Sequence, residues 1–123
     1  MSFAEKTSSP AGVAALLDAG HRTRVLAWVA SALRERRVGR TQSSELTRCA
    51  GEFTKLANVQ LEYARAIGAK RPVHTGPLPS LAGLLALLDQ NLIGDALRES
   101  ARLRTQLGPI LAEARRRLHE ARG

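Results

Sequence analysis

Among the side chains that carry chemistry, the histidines, the cysteine and the carboxylates come first. His21, His74 and His119 stand far apart in the 123-residue chain, and no HExxH, CxxC or His–carboxylate pair at i, i+4 marks a metal site. Cys49 is the one cysteine, so no internal disulfide or cysteine-based zinc site can form. It falls on an apolar helical seam, which makes it a buried structural thiol rather than a nucleophile, since a nucleophile needs an exposed electropositive setting. Glu45, Glu52 and Glu62 could supply acid or base groups, but each has a cation three or four residues away and reads as half of a surface pair. GxxxxGK[ST], GxGxxG and GxSxG are all absent, so neither a phosphate-cradling loop nor a nucleophile elbow is signalled. No catalytic residue, cofactor or metal is expected, and the chain reads as non-enzymatic.

What remains is cationic. Nineteen Lys+Arg against eleven Asp+Glu give +8 and a pI near 11.2, which favours polyanionic partners. The useful question is which cations have an acidic neighbour at helical spacing. Arg22 has Asp18; Arg48 has Glu45 and Glu52; Lys55 has Glu52; Arg65 has Glu62; Arg98 has Asp95; Arg102 has Glu99; Arg116 and Arg117 have Glu113 and Glu120. The stretch RERRVGR, residues 34 to 40, offers Arg34, Arg36, Arg37 and Arg40 with no such partner, because Glu35 is adjacent in sequence and points to another face. Arg24, Lys70, Arg71, Arg104, Arg115 and Arg122 also lack a local partner. Cations in a last helical turn interact with the macrodipole for about 0.3 to 1 kcal/mol, which explains their tolerance but not their number. A hairpin tip with four arginines next to helix-start N–H groups suits a phosphate backbone.

The elements that must carry these residues are helices throughout. Ser9 and Pro10 read as an N-cap and first helical residue, opening a helix that pauses at Gly20. A second helix is expected from His21 to Val38, with Gly39 as its C′ residue. Its middle, VLAWVASAL from Val25 to Leu33, has no charge, so most of its circumference should be buried. After a cap at Thr41 or Ser43, a third helix places Leu46, Cys49, Phe53, Leu56, Gln60, Tyr63 and Ile67 at three-four spacing, a heptad seam. Gln60 on that seam needs a polar partner, with an oligomer interface as one source. Residues 68 to 80 form a proline- and glycine-rich loop, after which Ser80 caps the apolar helix LAGLLALL. A last seam runs through Ile93, Leu97, Ser100, Arg104, Leu107, Leu111, Ala114, Leu118 and Ala121, crossing Pro109 without a slip, so a kinked or two-piece helix is expected. The fold class is all-α: one domain over 1–123, a bundle of four to six helices in antiparallel hairpins, with halves 9–68 and 80–122 joined by the loop 69–79.

Both helices flanking Gly39 are too long for a helix-turn-helix, and residues 92 to 122 lack the Trp or Phe of a membrane-surface helix, so neither reading is preferred. No apolar run reaches a membrane span, the amino terminus lacks a signal-peptide layout, and one cysteine suits a reducing cytoplasm. The expectation is a protein that grips the phosphates of RNA or single-stranded DNA without sequence preference, through Arg24, Arg34, Arg36, Arg37, Arg40, Lys70, Arg71, Arg104 and Arg115. If the helices on either side of Gly39 pair antiparallel, these cations span roughly 30 to 40 Å along one flank. Few aromatics are present for base stacking, so backbone and shape are what would be read. The alternative is a protein-interaction or structural helical module, of the phage or secretion-apparatus kind, that self-assembles or docks on a partner through the seams at 46–67 and 93–121.

One stretch resembles a known family. LPSLAGLLALLDQNLIGDAL, residues 78 to 97, with Leu-Pro, an apolar helix, an Asn-Leu turn and a following Ala-Leu, resembles the small helical subunit of RNA-guided CRISPR effector complexes. Leu92 stands where glycine is expected after Asn91. The resemblance implies a non-catalytic subunit, present in several copies beside other protein subunits, that lines a ribonucleoprotein filament and holds the guide duplex or displaced strand by its backbone.

Overall fold

The computed structural model describes residues 10–69 and 78–123, with side chains from residue 19 onward. Four helices make up these residues: α1 Pro10–Arg34, α2 Arg40–Ala66, α3 Ala82–Asp89 and α4 Ile93–Arg122. The chain is an all-α bundle, and among the described residues there is no strand. The expected loop 69–79 lies, for residues 70 to 77, outside the described residues, as does Ser9; Pro10 is the first residue of α1.

The two heptad seams are packed against each other. Leu46, Cys49, Phe53, Leu56 and Gln60 on α2 are buried, as are Ser100, Leu107, Leu111 and Leu118 on α4. α2 and α4 share the largest helix–helix interface, while α1 packs on α2 and α3 on both α1 and α4. The contacts Glu45–Arg104 and Glu62–Arg122 advance together along both helices, so α2 and α4 run parallel. α3 lies between them in the chain and packs on both α1 and α4, and one core cluster draws on all four helices. Pro109 sits inside an unbroken α4, not between two pieces. It is exposed, and so is Thr105, whose carbonyl loses its N–H partner to the proline. Ile67 is 47 % exposed and lies past the end of α2, so the α2 seam stops one residue short of its expected length.

Helix ends follow backbone geometry more than composition. α1 runs through Gly20 without a pause and stops at Arg34, short of Val38. Its C-terminus is a Schellman motif: the Arg37 N–H donates to the Ala32 carbonyl (2.8 Å) and the Arg36 N–H to Leu33 (3.1 Å), with Arg36 at φ 59. Gly39, expected as C′, is instead the N-cap of α2, and its N–H donates to Gln42 Oε1 at 3.0 Å, in place of a cap by Thr41 or Ser43. Gly68 and Asn91 close α2 and α3 by the same motif, at φ 74 and 58. Ser80, expected as the cap of α3, stands one residue before its N-cap Leu81, which has no side-chain cap bond; Ser80 Oγ accepts the Ala82 N–H at 3.1 Å from there.

α1 departs most from its sequence reading. Val25, Val29 and Ala32 are buried, yet Leu26 is 42 % and Leu33 41 % exposed, with Ala27 and Ala30 also facing solvent. The uncharged run is thus covered on one side only, because α2 and α3 both approach that side. Among the described residues no helix is long and apolar enough to cross a membrane.

Candidate nucleic-acid interface

The α1–α2 corner holds the residues of RERRVGR, and the backbone turn sends them in different directions. Arg37 lies along the surface, toward the α3–α4 turn. Its Nη1 donates to Asn91 Oδ1 at 2.6 Å, its Nη2 to Glu35 Oε1 at 3.3 Å, and its guanidinium carbon lies 5.0 Å from the centre of the Trp28 ring. It therefore ties the α1–α2 turn to the α3–α4 turn, so the Arg37 expected as a phosphate contact also holds two turns together. Local counting missed this because Glu35 and Arg37 lie beyond the helix end, where helical faces no longer apply. Ser31 Oγ donates to Glu35 Oε1 at 3.0 Å, and this bond, then Arg37, then the charge of Arg34, hold the Glu35 carboxyl below the usual carboxylate range. Arg34 and Arg36 remain exposed.

Three more cations read as unpaired have partners from other helices. Arg24 meets Asp89 at 3.8 Å, Arg104 meets Glu45 at 2.6 Å, and Arg122 meets Glu62 at 2.9 Å. Ser100 also donates to Glu45, at 2.8 Å, so Glu45, Ser100 and Arg104 form a part-buried polar cluster in the α2–α4 interface. Arg24 and Arg104, both expected as phosphate contacts, thus have acidic partners that a search confined to i±3 and i±4 cannot see, though the Arg24 side chain stays 65 % exposed. A signal was present, since Arg104 stands on the apolar seam of α4 and a cation there needs an answer across the interface. Cys49 sits beside this cluster, fully buried, and desolvation pushes its thiol up to about 11, which keeps it neutral.

The same exchange frees cations that had been counted as paired. With Glu45 turned to Arg104 and Glu62 to Arg122, the side chains of Arg48 and Arg65 have no hydrogen bond or ion pair among the described residues. Arg36, Arg40 and Arg115 stand likewise. Lys55 keeps Glu52 at 3.8 Å. At 100° per residue, Arg40, Arg48, Lys55 and Arg65 fall within about 100° of arc on α2, over roughly 37 Å of helix. All four are exposed, and so are Ser44, Thr47 and Asn58 between them. One outer face of α2 is therefore a row of cations interleaved with small hydrogen-bonding side chains, continuing at its amino end into Arg34 and Arg36. Lys70 and Arg71 lie outside the described residues.

α4 behaves as its local spacing predicts. Arg98 pairs with Asp95, Arg102 with Glu99 at 2.7 Å, Arg116 with Glu113 (2.9 Å) and Glu120, and Arg117 with Glu113 at 3.2 Å. The Arg116 hydrogen bond holds the Glu113 carboxyl down to about 2. Arg115 is the exposed exception.

Gln60 finds no partner across the core. It is 4 % exposed, and its Nε2 has no hydrogen-bond partner among the described residues. It lines a small open cleft with Arg22, Phe53, Leu56, Leu78 and Pro79, where Arg22 Nη1 donates to the Phe53 carbonyl at 3.2 Å. Among the described residues no group of three His, Cys, Asp or Glu side chains could hold a metal ion, and His74 lies outside them. No protein-family model, curated protein or solved structure matches the chain.

Proposed function

We propose that the protein is a non-catalytic binder of nucleic-acid backbone, RNA or single-stranded DNA, that works without sequence preference through the outer face of α2 and the α1–α2 corner. The observation that supports this most is the exposed row Arg40, Arg48, Lys55 and Arg65, in which the three arginines have no acidic partner among the described residues and Lys55 has Glu52 alone, at 3.8 Å. Each such cation that meets a phosphate releases a counterion, and the released ions drive association. The hydroxyls of Ser44 and Thr47 and the amide of Asn58 add phosphate donors that read no base. Arg36 adds a separate argument: its backbone is left-handed, where glycine is favoured, so the arginine there carries a conformational cost that a role for its exposed side chain would offset.

Work as a small subunit among other protein subunits, in several copies and in a reducing cytoplasmic setting, is the assembly this reading fits. Membership of an RNA-guided CRISPR effector complex is its most specific form, supported by the resemblance at residues 78–97 alone. In that stretch Asn91 has a folding duty as the left-handed residue closing α3.

The test compares two charge-matched triple variants in electrophoretic retention of a single-stranded oligonucleotide. Arg40→Glu/Arg48→Glu/Arg65→Glu should abolish retention, while Arg98→Glu/Arg102→Glu/Arg116→Glu, which reverses internally answered cations, should keep most of it. Equal loss in both, or retention by the first, contradicts the assignment, provided circular dichroism shows both folded.

A further inference from the structure

Two acids decide how much of the α2 row is free, and both are held from α4. Glu45 has both carboxylate oxygens engaged across the interface: Arg104 Nη1 donates to Oε1 at 2.6 Å and Ser100 Oγ to Oε2 at 2.8 Å. Glu62 is met in the same way, its Oε2 accepting from Arg122 Nη2 at 2.9 Å. Each acid stands three residues before an arginine of the row, Glu45 before Arg48 and Glu62 before Arg65, at the spacing where carboxylate and guanidinium pair along one helix. Neither arginine has such a pair, or any other hydrogen-bond partner among the described residues.

We propose that Arg104 and Arg122 are positioning residues for phosphate binding: without touching the ligand, they hold Glu45 and Glu62 on α4 and so keep Arg48 and Arg65 open to it. The inference rests on the outer face of α2 being the phosphate-binding face. A carboxylate paired with Arg48 has to be displaced by an incoming phosphate, and its charge repels that phosphate even when the pair has opened. Glu45 is the more firmly held of the two acids. Its side chain and that of Arg104 are 28 % and 31 % exposed, against 45 % and 59 % for Glu62 and Arg122, so water screens their attraction less.

The row contains its own contrast. Glu52 has no partner on α4 among the described residues, and it pairs along its own helix with Lys55, three residues on, at 3.8 Å. Glu45 and Glu62 have an arginine at the same spacing and do not pair with it; the difference is the cation that α4 supplies to each. Phosphate affinity is thereby tied to the parallel packing of α4 on α2, although neither Arg104 nor Arg122 lies in the row.

Anisotropy of a labelled single-stranded oligonucleotide titrated with the full chain reads the effect. Arg104→Gln and Arg122→Gln should each weaken binding about threefold and together about tenfold, with the slope of log K against log salt shallower by about 1 and circular dichroism unchanged. Arg98→Gln, which removes the same charge from α4 beside Asp95, should change affinity by less than about twofold. Restoration separates positioning from direct contact. Arg104→Gln/Glu45→Gln and Arg122→Gln/Glu62→Gln have the net charge of the wild type and should bind as it does, as should Arg104→Lys and Arg122→Lys, which keep the ion pairs. The exposed Arg122–Glu62 pair gives the reading even if Arg104→Gln unfolds the part-buried cluster. Wild-type affinity in Arg122→Gln, or a loss that Glu62→Gln does not restore, overturns the proposal alone, provided Arg40→Glu/Arg48→Glu/Arg65→Glu still abolishes binding. A wild type that does not bind, or a triple variant that binds as well as the wild type, overturns the α2 face and the proposal with it.

Discussion

Arg36 and Arg37 are neighbours with opposite duties, and the left-handed backbone at Arg36 is what separates them. A non-glycine residue at φ 59 carries a conformational cost, so Arg36→Gly should stabilise the fold by about 0.5 to 1 kcal/mol, seen as a midpoint rise of roughly 2 to 4 °C in thermal unfolding. The same variant should bind oligonucleotide more weakly. Arg37→Ala should do the reverse, losing about 1 to 2 kcal/mol through the Asn91 hydrogen bond and the Trp28 stacking, with oligonucleotide affinity changed by less than about twofold. A pair of variants that moved together in both measurements would contradict this division. In sequence the two arginines are indistinguishable; only the turn geometry, with glycine absent from the left-handed position, assigns them.

At the scale of helices, pairing along one helix and pairing between helices compete for the same acids. α4 is settled locally, and Glu113 shows it. Its carboxyl is held at about 2 by Arg116, below the ordinary value of 4.5, so its contribution is present above the unfolded value and fades as pH falls through about 2. A carboxyl titration by NMR should find the Glu113 midpoint near 2, well under that of an unpaired glutamate; a midpoint near 4.5 would remove the Arg116 network from α4. α2 is settled between helices, where Arg104 and Arg122 outcompete Arg48 and Arg65 for Glu45 and Glu62. The seams of both helices and the uninterrupted passage of Pro109 along one buried face were legible, because three-four spacing is a property of a single helix. Which cations stay free was not, because it depends on the parallel run of α2 beside α4. The half-covered α1 was hidden for a related reason: an uncharged stretch shows what can be buried, not how many neighbours arrive to bury it.

For the whole molecule, Glu45 and Glu62 of α2 are turned to α4, and Arg40, Arg48 and Arg65 are left unanswered on the outer face of α2. Net charge of +8 would attract any polyanion. A row of four cations along α2 predicts something narrower, a definite number of phosphates released from their counterions together. The most direct measurement is the fluorescence anisotropy of a labelled single-stranded oligonucleotide titrated with the wild-type protein at several salt concentrations. Six phosphate contacts, the row of four with Arg34 and Arg36 at the corner, predict that log K falls with log salt at a slope of about −4, and that Arg40→Glu/Arg48→Glu/Arg65→Glu removes measurable binding. A slope near zero, or a triple variant that binds as the wild type does, would contradict the account.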